Sequence, residues 1–456
     1  MAEHLRTYTS KLEALARRAG LDYFPVDFEL VPDSFMMEVA VYGLPVRMPH
    51  WSFGVRYIYQ LIQHRMGHSR LFEVVFPGNP GRAYLAHNNS VEENTLVTAH
   101  VLGHADFAKN NILFKRSQEQ VGYHIVEQAA SHARQIAGAI QEYGEQRVEA
   151  ALDAALALEQ HIDVHKPLHR SLYPEYLPET NKQPTDEFHA RFGALVAKHA
   201  DADARAEKRR ASIPPYPEQD LLWFIAHYAP ELEDWERDIF LAVREESFYF
   251  YPVFACQIMN EGWASYWHAR LLSEADFLPQ QVYLDAIKTH SDVVRPYAGQ
   301  QQIALAVNPY HLGFSIWSKI VEVRGLDQAR KIMIEDDDFS FVRNYLTEKL
   351  AKDLGLFGYT AKKNGEVKVE ATDIYDLRES LLTAKFNFGA PNIAAVGVQT
   401  DGTLELRHDH SIDGRGLDAQ RAVKVLEYIQ RVWRRPVILH TLDERGEKKV
   451  LTAGAR

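Results

Sequence analysis

Hydrophobic residues recur at helical spacing over most of the chain. Between residues 3 and 19, Leu12, Leu15 and Ala16 fall on one face, which predicts an opening amphipathic helix. Pro252 is expected to break the helix in which it lies. Further helices are predicted over residues 117–158 with a break at Tyr143-Gly144, and over residues 221–228, 232–251, 253–272 and 279–293. The pattern predicts a body that is mainly α-helical.

Strand patterns occur near the start of the chain. Residues 71–76 and 82–86 flank the turn Pro77-Gly78-Asn79-Pro80, which predicts two strands joined by a short connection. Residues 23–29 and 35–42 are expected to be extended or irregular. We therefore expect a few N-terminal strands beside the helices.

The last segment changes from helical to mixed patterning. Three strands and one helix are expected there, over residues 393–398, 402–406, 437–440 and 417–433, with a hairpin turn at Asp401-Gly402. The predicted fold class is a mainly α-helical body with a few N-terminal strands, plus a small C-terminal α+β domain. The body is expected to span residues 1–385 and the module residues 386–456, with a polar, proline-rich excursion around residues 159–217.

The composition excludes several classes of protein. The formal net charge of −11 argues against nucleic-acid binding, because neutralising phosphates requires a basic surface. The single cysteine, Cys256, excludes an intramolecular disulfide and a thiolate-rich zinc site, and it favours a reducing compartment. Residues 1–18 lack the apolar core of a signal peptide, and no stretch approaches the ~20 apolar residues of a membrane span. A cytoplasmic protein is expected.

The strongest chemical signal is a pair of histidines four residues apart. Ser90 and Glu93 have the spacing of a capping box, and the helix that begins there would carry His100 and His104 on one face. Two imidazoles at this spacing can supply half of a tetrahedral metal site. The zinc-peptidase version of the pattern has a glutamate directly after the first histidine, as general base, where this chain has Val101.

A second half-site lies farther along the chain. Glu261 and His268 are two helical turns apart and therefore share a face. Together with His100 and His104, Glu261 would complete the His₂Glu ligand set of catalytic zinc sites. The alternative is that the histidines bridge buried carbonyls and that Glu261 pairs with an arginine. Two matching half-sites favour a metal, with zinc as the first choice.

Four side chains are candidates for the chemistry around that metal. Asp106 or Glu246 would move a proton, and His268 or Tyr310 would stabilise an oxyanion. Asp106 is alternatively a partner that orients a ligand histidine. Iron or manganese stays open if Asp106, Glu245 or Glu246 adds a carboxylate to the ligand set.

Six stretches of the chain resemble the SpoVR family, the stage V sporulation protein R-like proteins. They are residues 23–29, 50–54, 100–111, 232–235, 259–268 and 308–313. The resemblance implies a cytoplasmic bacterial protein from a family named for a role in spore cortex formation, although members also occur in bacteria that do not sporulate. It also implies two partners, a PrkA-type ATPase/kinase and a von Willebrand A-like protein. No settled reaction comes with the resemblance, so it assigns no catalytic residue.

Three functions follow from these observations. The first is a metal-dependent hydrolase, or an acyl or amide transferase, that acts on a peptide-like substrate in spore cortex formation or stress physiology. The second is a catalytically inactive, peptidase-like scaffold for the ATPase/kinase and the von Willebrand A-like protein. The third is a carboxylate-rich redox metal protein.

Overall fold

The fold is described by a computed structural model. It covers residues 2–65, 71–173, 213–295, 307–356, 358–361, 367–370, 373–383, 385–411 and 414–454. Most of the polar excursion expected around residues 159–217 lies outside these ranges. Over the described residues the chain forms 17 α-helices and nine strands, which confirms the predicted fold class.

The helices make up most of the described chain. They are α1 (Ala2–Arg18), α2 (Asp33–Tyr42), α3 (Trp51–Arg65), α4 (Val91–Asn110), α5 (Ile112–Val121), α6 (Ile125–Tyr143), α7 (Glu145–Ala157), α8 (Leu221–Tyr228), α9 (Asp234–Ala255), α10 (Gln257–Glu274), α11 (Gln280–Val293), α12 (Pro309–Arg324), α13 (Leu326–Glu335), α14 (Asp338–Tyr345), α15 (Glu348–Asp353), α16 (Ile374–Thr383) and α17 (Ala419–Trp433). None of these helices has the length and apolar character required to cross a lipid bilayer.

The strands form three separate sheets. They are β1 (Val26–Val31), β2 (Glu73–Phe76), β3 (Gly81–Ala86), β4 (Gly358–Ala361), β5 (Val367–Glu370), β6 (Ile393–Val398), β7 (Leu404–His408), β8 (Val437–Leu442) and β9 (Lys448–Ala453). In the N-terminal sheet β3 lies in the middle, parallel to β1 and antiparallel to β2. The strands β4 and β5 pair as an antiparallel hairpin, and β6 to β9 form the C-terminal sheet in chain order.

Two local predictions were wrong. Residues 35–42 are helical, within α2, and bury Met36, Met37 and Val39; a short apolar run of this kind does not by itself distinguish a strand from a buried helix. Pro252 does not end its helix, which continues to Ala255. The Phe248 carbonyl, which lies one helical turn before Pro252 and loses its usual amide donor, accepts a hydrogen bond from Ser117 Oγ (2.8 Å).

Three helices cross at unusually close range in the middle of the body. A Cβ atom on Gly103 of α4 would lie 2.7 Å from the Cα atom of Ala264 on α10. A Cβ atom on Gly313 of α12 would lie 2.1 Å from the carbonyl oxygen of Ile258, and Gly262 lies directly against Gly313. Only glycine permits such approach, so these residues determine how near α4, α10 and α12 come to each other.

The C-terminal module packs into the hydrophobic core of the body. Trp433 at the end of α17 is fully buried, and its ring lies 6.0 Å from that of Phe224 on α8, nearly parallel to it. Leu426 of the same helix belongs to a cluster of buried residues that also contains Val148 and Leu152 of α7. The division of the chain at residues 385 and 386 stays a prediction.

Candidate metal centre

The helix α4 is buried on all sides, which is why it can present two histidines to the interior. Ser90 begins it with a capping box, since the Ser90 side chain accepts from the Glu93 amide and the Glu93 carboxylate accepts from the Ser90 amide. His100 and His104 are only 3% and 8% exposed. A helix that is buried all round belongs to the centre of a domain rather than to its surface.

Three side chains converge at this point. His100 Nε2 lies 3.4 Å from Glu261 Oε2, and His104 Nε2 lies 3.3 Å from the same oxygen. Ligand atoms of all three residues lie within 4.8 Å of one another, the one such group of three or more metal-ligating side chains found in the described chain. Bonds of about 2.05 Å at tetrahedral angles place zinc ligands about 3.35 Å apart, which matches both separations from Glu261 Oε2.

Each histidine has its other ring nitrogen occupied. His104 Nδ1 donates to Asn260 Oδ1 at 2.9 Å. His100 Nδ1 lies 2.9 Å from His268 Nδ1, and His268 Nε2 lies 2.5 Å from His290 Nδ1. In a metal-ligating histidine this outer hydrogen bond fixes the tautomer and leaves the Nε2 lone pair for the ion.

Two buried atoms at the centre make no hydrogen bond of good geometry within the described chain, although both take part in the ion-pair distances given above. They are His100 Nε2 and Glu261 Oε2. Buried polar atoms without a partner are rare in folded proteins, because each costs roughly 1–3 kcal/mol. A cation between them would satisfy both atoms, which lie 3.4 Å apart.

The charges inside the cluster are coupled. Burial opposes ionisation of Glu261, but His104 and His100 outweigh it and hold the pKa of Glu261 far below its usual range. Burial likewise disfavours the charged form of His104, but Glu261 raises its pKa above the usual value. Burial and the neighbouring His104 lower the pKa of His100 to about 4. Without a metal, His104 and Glu261 form an ion pair beside a neutral His100, so a metal that binds here must displace the proton from His104.

A carboxylate that was not predicted from the sequence also faces the centre. Glu73 begins β2, and its Oε1 lies 3.8 Å from His100 Nε2. Burial, and then repulsion by Glu261, raises the pKa of Glu73 to about 7. A single glutamate at the start of a strand belongs to no sequence motif, which is why Glu73 was not predicted. Its position depends on how β2 pairs with β3 and packs on α4.

Tyr310 lies beside His100. The two rings are stacked with their centroids 6.0 Å apart, and the phenol interacts with the Glu261 carboxylate. Repulsion by Glu261 and then burial raise the pKa of Tyr310 well above its usual value, so the hydroxyl keeps its proton as a donor. Asn308 positions it by capping α12, since its side chain accepts from the Tyr310 amide at 3.0 Å.

The other predicted catalytic residues are placed differently. His268 reaches the cluster, but it is fully buried behind His100. Asp106 accepts from the Asp22 amide at 2.7 Å and from Trp263 Nε1 at 2.9 Å, which ties α4 to α10. Glu246 is paired with an arginine and a histidine outside the centre. The structure therefore brings His268 and Tyr310 to the predicted ligands, and it does not bring Asp106 or Glu246.

Comparison with known proteins gives the family. A relative from Escherichia coli (strain K12), the uncharacterized protein YcgB, is 28% identical over 486 aligned residues, which cover 98% of this chain and 93% of the relative. No solved structure matches the chain significantly. The family described as SpoVR-like protein matches residues 1–389, and the SpoVR-like C-terminal domain matches residues 391–444. The chain belongs to the SpoVR-like protein family.

Proposed function

We propose that this protein binds one divalent metal ion, zinc in the first place, through His100, His104 and Glu261. We propose further that it uses the ion to hydrolyse or transfer an amide bond of a peptide-like substrate. The observation that carries the proposal is the pair of separations of 3.4 and 3.3 Å from Glu261 Oε2 to the two Nε2 atoms, which equal the edge of a tetrahedral zinc site.

The residues around the cluster supply the remaining parts of such a reaction. A zinc ion acts as a Lewis acid and lowers the pKa of a bound water. Glu73 would accept the proton of that water, because its carboxylate faces His100 Nε2, the proposed ligand atom. Glu73 would thus take the part that a glutamate at the position of Val101 has in zinc peptidases. Tyr310 would donate a hydrogen bond to the oxyanion.

The neighbouring side chains would hold the ligands in place. Asn260 accepts from His104, and His268 and His290 continue from His100 as a chain of hydrogen-bonded imidazoles. Partners of this kind orient a ligand histidine and commonly change metal affinity when they are replaced.

Metal analysis of the purified protein tests the ligand set. We expect about one zinc per chain in the wild type and substoichiometric zinc in His100→Ala and in Glu261→Gln. His440→Asn is the matched control, since His440 is exposed on β8, and it should keep its zinc. Stoichiometric zinc in both ligand variants would contradict the proposal.

A second measurement tests the chemistry. Glu73→Gln should retain zinc but hydrolyse a panel of dipeptides at least about 100-fold more slowly than the wild type, since a general base contributes about 10²–10⁴-fold. Iron in place of zinc would favour the redox function, because two histidines and one carboxylate also bind Fe(II). A metal-free protein that still binds a PrkA-type ATPase would favour the scaffold.

A further inference from the structure

A cavity of about 450 Å³ opens beside the metal centre. Glu261 lines it, so the cluster and the cavity share a wall. The side chain of Glu261 is 20% exposed, whereas that of His100 is 3% exposed, although Glu261 Oε2 itself is buried. The volume lies within the range of small-molecule sites, about 300–1,000 Å³.

One wall of the cavity is apolar. Phe250, Val253 and Phe254 of α9 line it, and Val253 is 39% exposed although it is a large hydrophobic residue. Such a wall suits an apolar or aromatic side chain of a ligand, which would be removed from water on binding.

Two arginines also line the cavity, and they differ in how they are paired. Arg47 is 7% exposed and bound on several sides, with Nε 2.8 Å from Glu246 and a terminal nitrogen 3.3 Å from Glu159. The side chain of Arg56 is 55% exposed, and its ion pair with Glu159 is 3.8 Å long, beyond hydrogen-bond distance. Among the described residues, Arg56 therefore has guanidinium donors available, whereas Arg47 is held by Glu246 and Glu159.

We propose that this cavity binds the C-terminal residue of a peptide, with the carboxylate on Arg56 and an apolar side chain on the wall formed by Phe250, Val253 and Phe254. The proposal rests on the proposed function, because it places the amide bond next to that residue at the metal centre. A guanidinium fork matches a carboxylate in shape and charge.

A monoanion fits the cavity better than a dianion. The lining holds two cations, Arg47 and Arg56, and two anions, Glu159 and Glu261. With Glu261 on the metal, Arg56 beside Glu159 is the charged pair that a ligand in the cavity would meet. A phosphate monoester would bring a charge of about −1.5 to −2 against Glu159, whereas a carboxylate brings one negative charge that Arg56 can neutralise.

Calorimetric titration with N-acetyl-L-phenylalanine tests the proposal. N-acetyl-L-phenylalaninamide and phenyl phosphate serve as comparison ligands. We expect the free acid to bind at least tenfold more tightly than the amide and more tightly than phenyl phosphate. Arg56→Gln should weaken binding of the acid about tenfold, which is the loss of one charge-assisted contact. Val253→Asp should also weaken binding of the acid, and Arg56→Lys should restore part of the affinity lost in Arg56→Gln.

The control is Arg421→Gln, which removes an arginine whose side chain is 89% exposed on α17, and it should bind the acid like the wild type. Equal binding of acid and amide, tighter binding of phenyl phosphate, or unchanged affinity in Arg56→Gln would overturn the proposal. Zinc content is measured in the same samples. Arg56-dependent binding to a zinc-free protein would refute the metal centre but support the carboxylate site, whereas a zinc-loaded protein indifferent to Arg56→Gln would refute the carboxylate site alone.

Discussion

Gly313 lies at the closest helix contact of the body, where α12 crosses α10. Replacement of Gly313 by alanine would place a Cβ atom 2.1 Å from the Ile258 carbonyl, which is backbone and cannot turn aside. We expect Gly313→Ala to lower the free energy of unfolding by about 3 kcal/mol, as overpacking of a rigid core does. Urea denaturation followed by circular dichroism measures the change.

Gly138→Ala is the matched control for that substitution. Gly138 lies on the exposed side of α6, and a Cβ atom there would have no other atom of the described residues within 4 Å. It should raise the free energy of unfolding by about 0.5–1 kcal/mol, because alanine loses less chain entropy in a helix. Equal effects of the two substitutions would show that the crossing is not as tight as described.

His268 provides a residue-scale prediction for the metal centre. His268→Leu removes the hydrogen-bond partner of His100 Nδ1 without leaving a large cavity, and we expect zinc affinity to fall about 10- to 100-fold. His268→Asn, whose side-chain oxygen can still accept from His100, should recover part of the loss. Competition with a chromophoric chelator measures both affinities, and an unchanged affinity in His268→Leu would mean that His268 does not position the ligand.

At the same scale, local geometry decides which site residues could be predicted. His100 and His104 could be paired from the sequence because helix geometry alone places residues four apart on one face. Glu261 could be added to them only because the three residues together match the His₂Glu ligand set of catalytic zinc sites. Glu73 could not be predicted, since its approach to His100 depends on the pairing of β2 with β3, which is set by tertiary packing.

At the scale of elements, a charged contact joins α6 to α9. His132 on α6 lies 3.3 Å from Glu246 and 3.5 Å from Glu245 on α9. Burial opposes its protonation, but hydrogen bonds to the two glutamates outweigh this and raise the pKa of His132 to about 9. The folded protein therefore holds a proton on His132 that the unfolded chain releases near pH 6.5.

The sign of the pH dependence follows from that difference. The stabilisation is complete below about pH 6.5 and is lost as the pH rises towards 9, because the native state then binds more protons than the unfolded state. The contribution is about 1–2 kcal/mol after discounting for partial solvation. Denaturation at a series of pH values measures the effect. Between pH 6.5 and 9, the free energy of unfolding should fall less steeply with rising pH in His132→Gln than in the wild type. Parallel slopes for the two proteins would contradict the assignment.

Elements were predicted best where their signals are local. The capping box at Ser90 located the start of α4 because its hydrogen bonds lie within one turn. The continuation of α9 through Pro252 could not be foreseen, since it depends on Ser117 in α5 supplying a donor to the Phe248 carbonyl. The C-terminal strand β9 also escaped prediction.

At the scale of the whole molecule, the C-terminal module shares a core with the helical body. Trp433 is fully buried and stacks near Phe224 of α8. Trp433→Ala should lower the free energy of unfolding by about 3–5 kcal/mol, as removal of a large core side chain does. Differential scanning calorimetry should show one transition at a lower Tm. Two separate transitions, only one of them shifted, would show that the module and the body unfold independently.

The partners that the family resemblance implies stay a prediction, and the sequence assigned no function to the module. The sheet and helix of the module could be predicted from alternating and helical patterns. The burial of Trp433 against Phe224 of α8 could not, because Trp433 and Phe224 lie far apart in the sequence.

The central claim is that His100, His104 and Glu261 bind a metal ion. Crystals of the full chain grown with zinc, with diffraction data collected on both sides of the zinc absorption edge, test it most directly. We predict one strong anomalous peak about 2.0–2.2 Å from His100 Nε2, His104 Nε2 and a Glu261 carboxylate oxygen. Zinc bound elsewhere on the protein, with no anomalous peak among these three residues, would contradict the account. A peak that persists among them in His100→Ala would also contradict it.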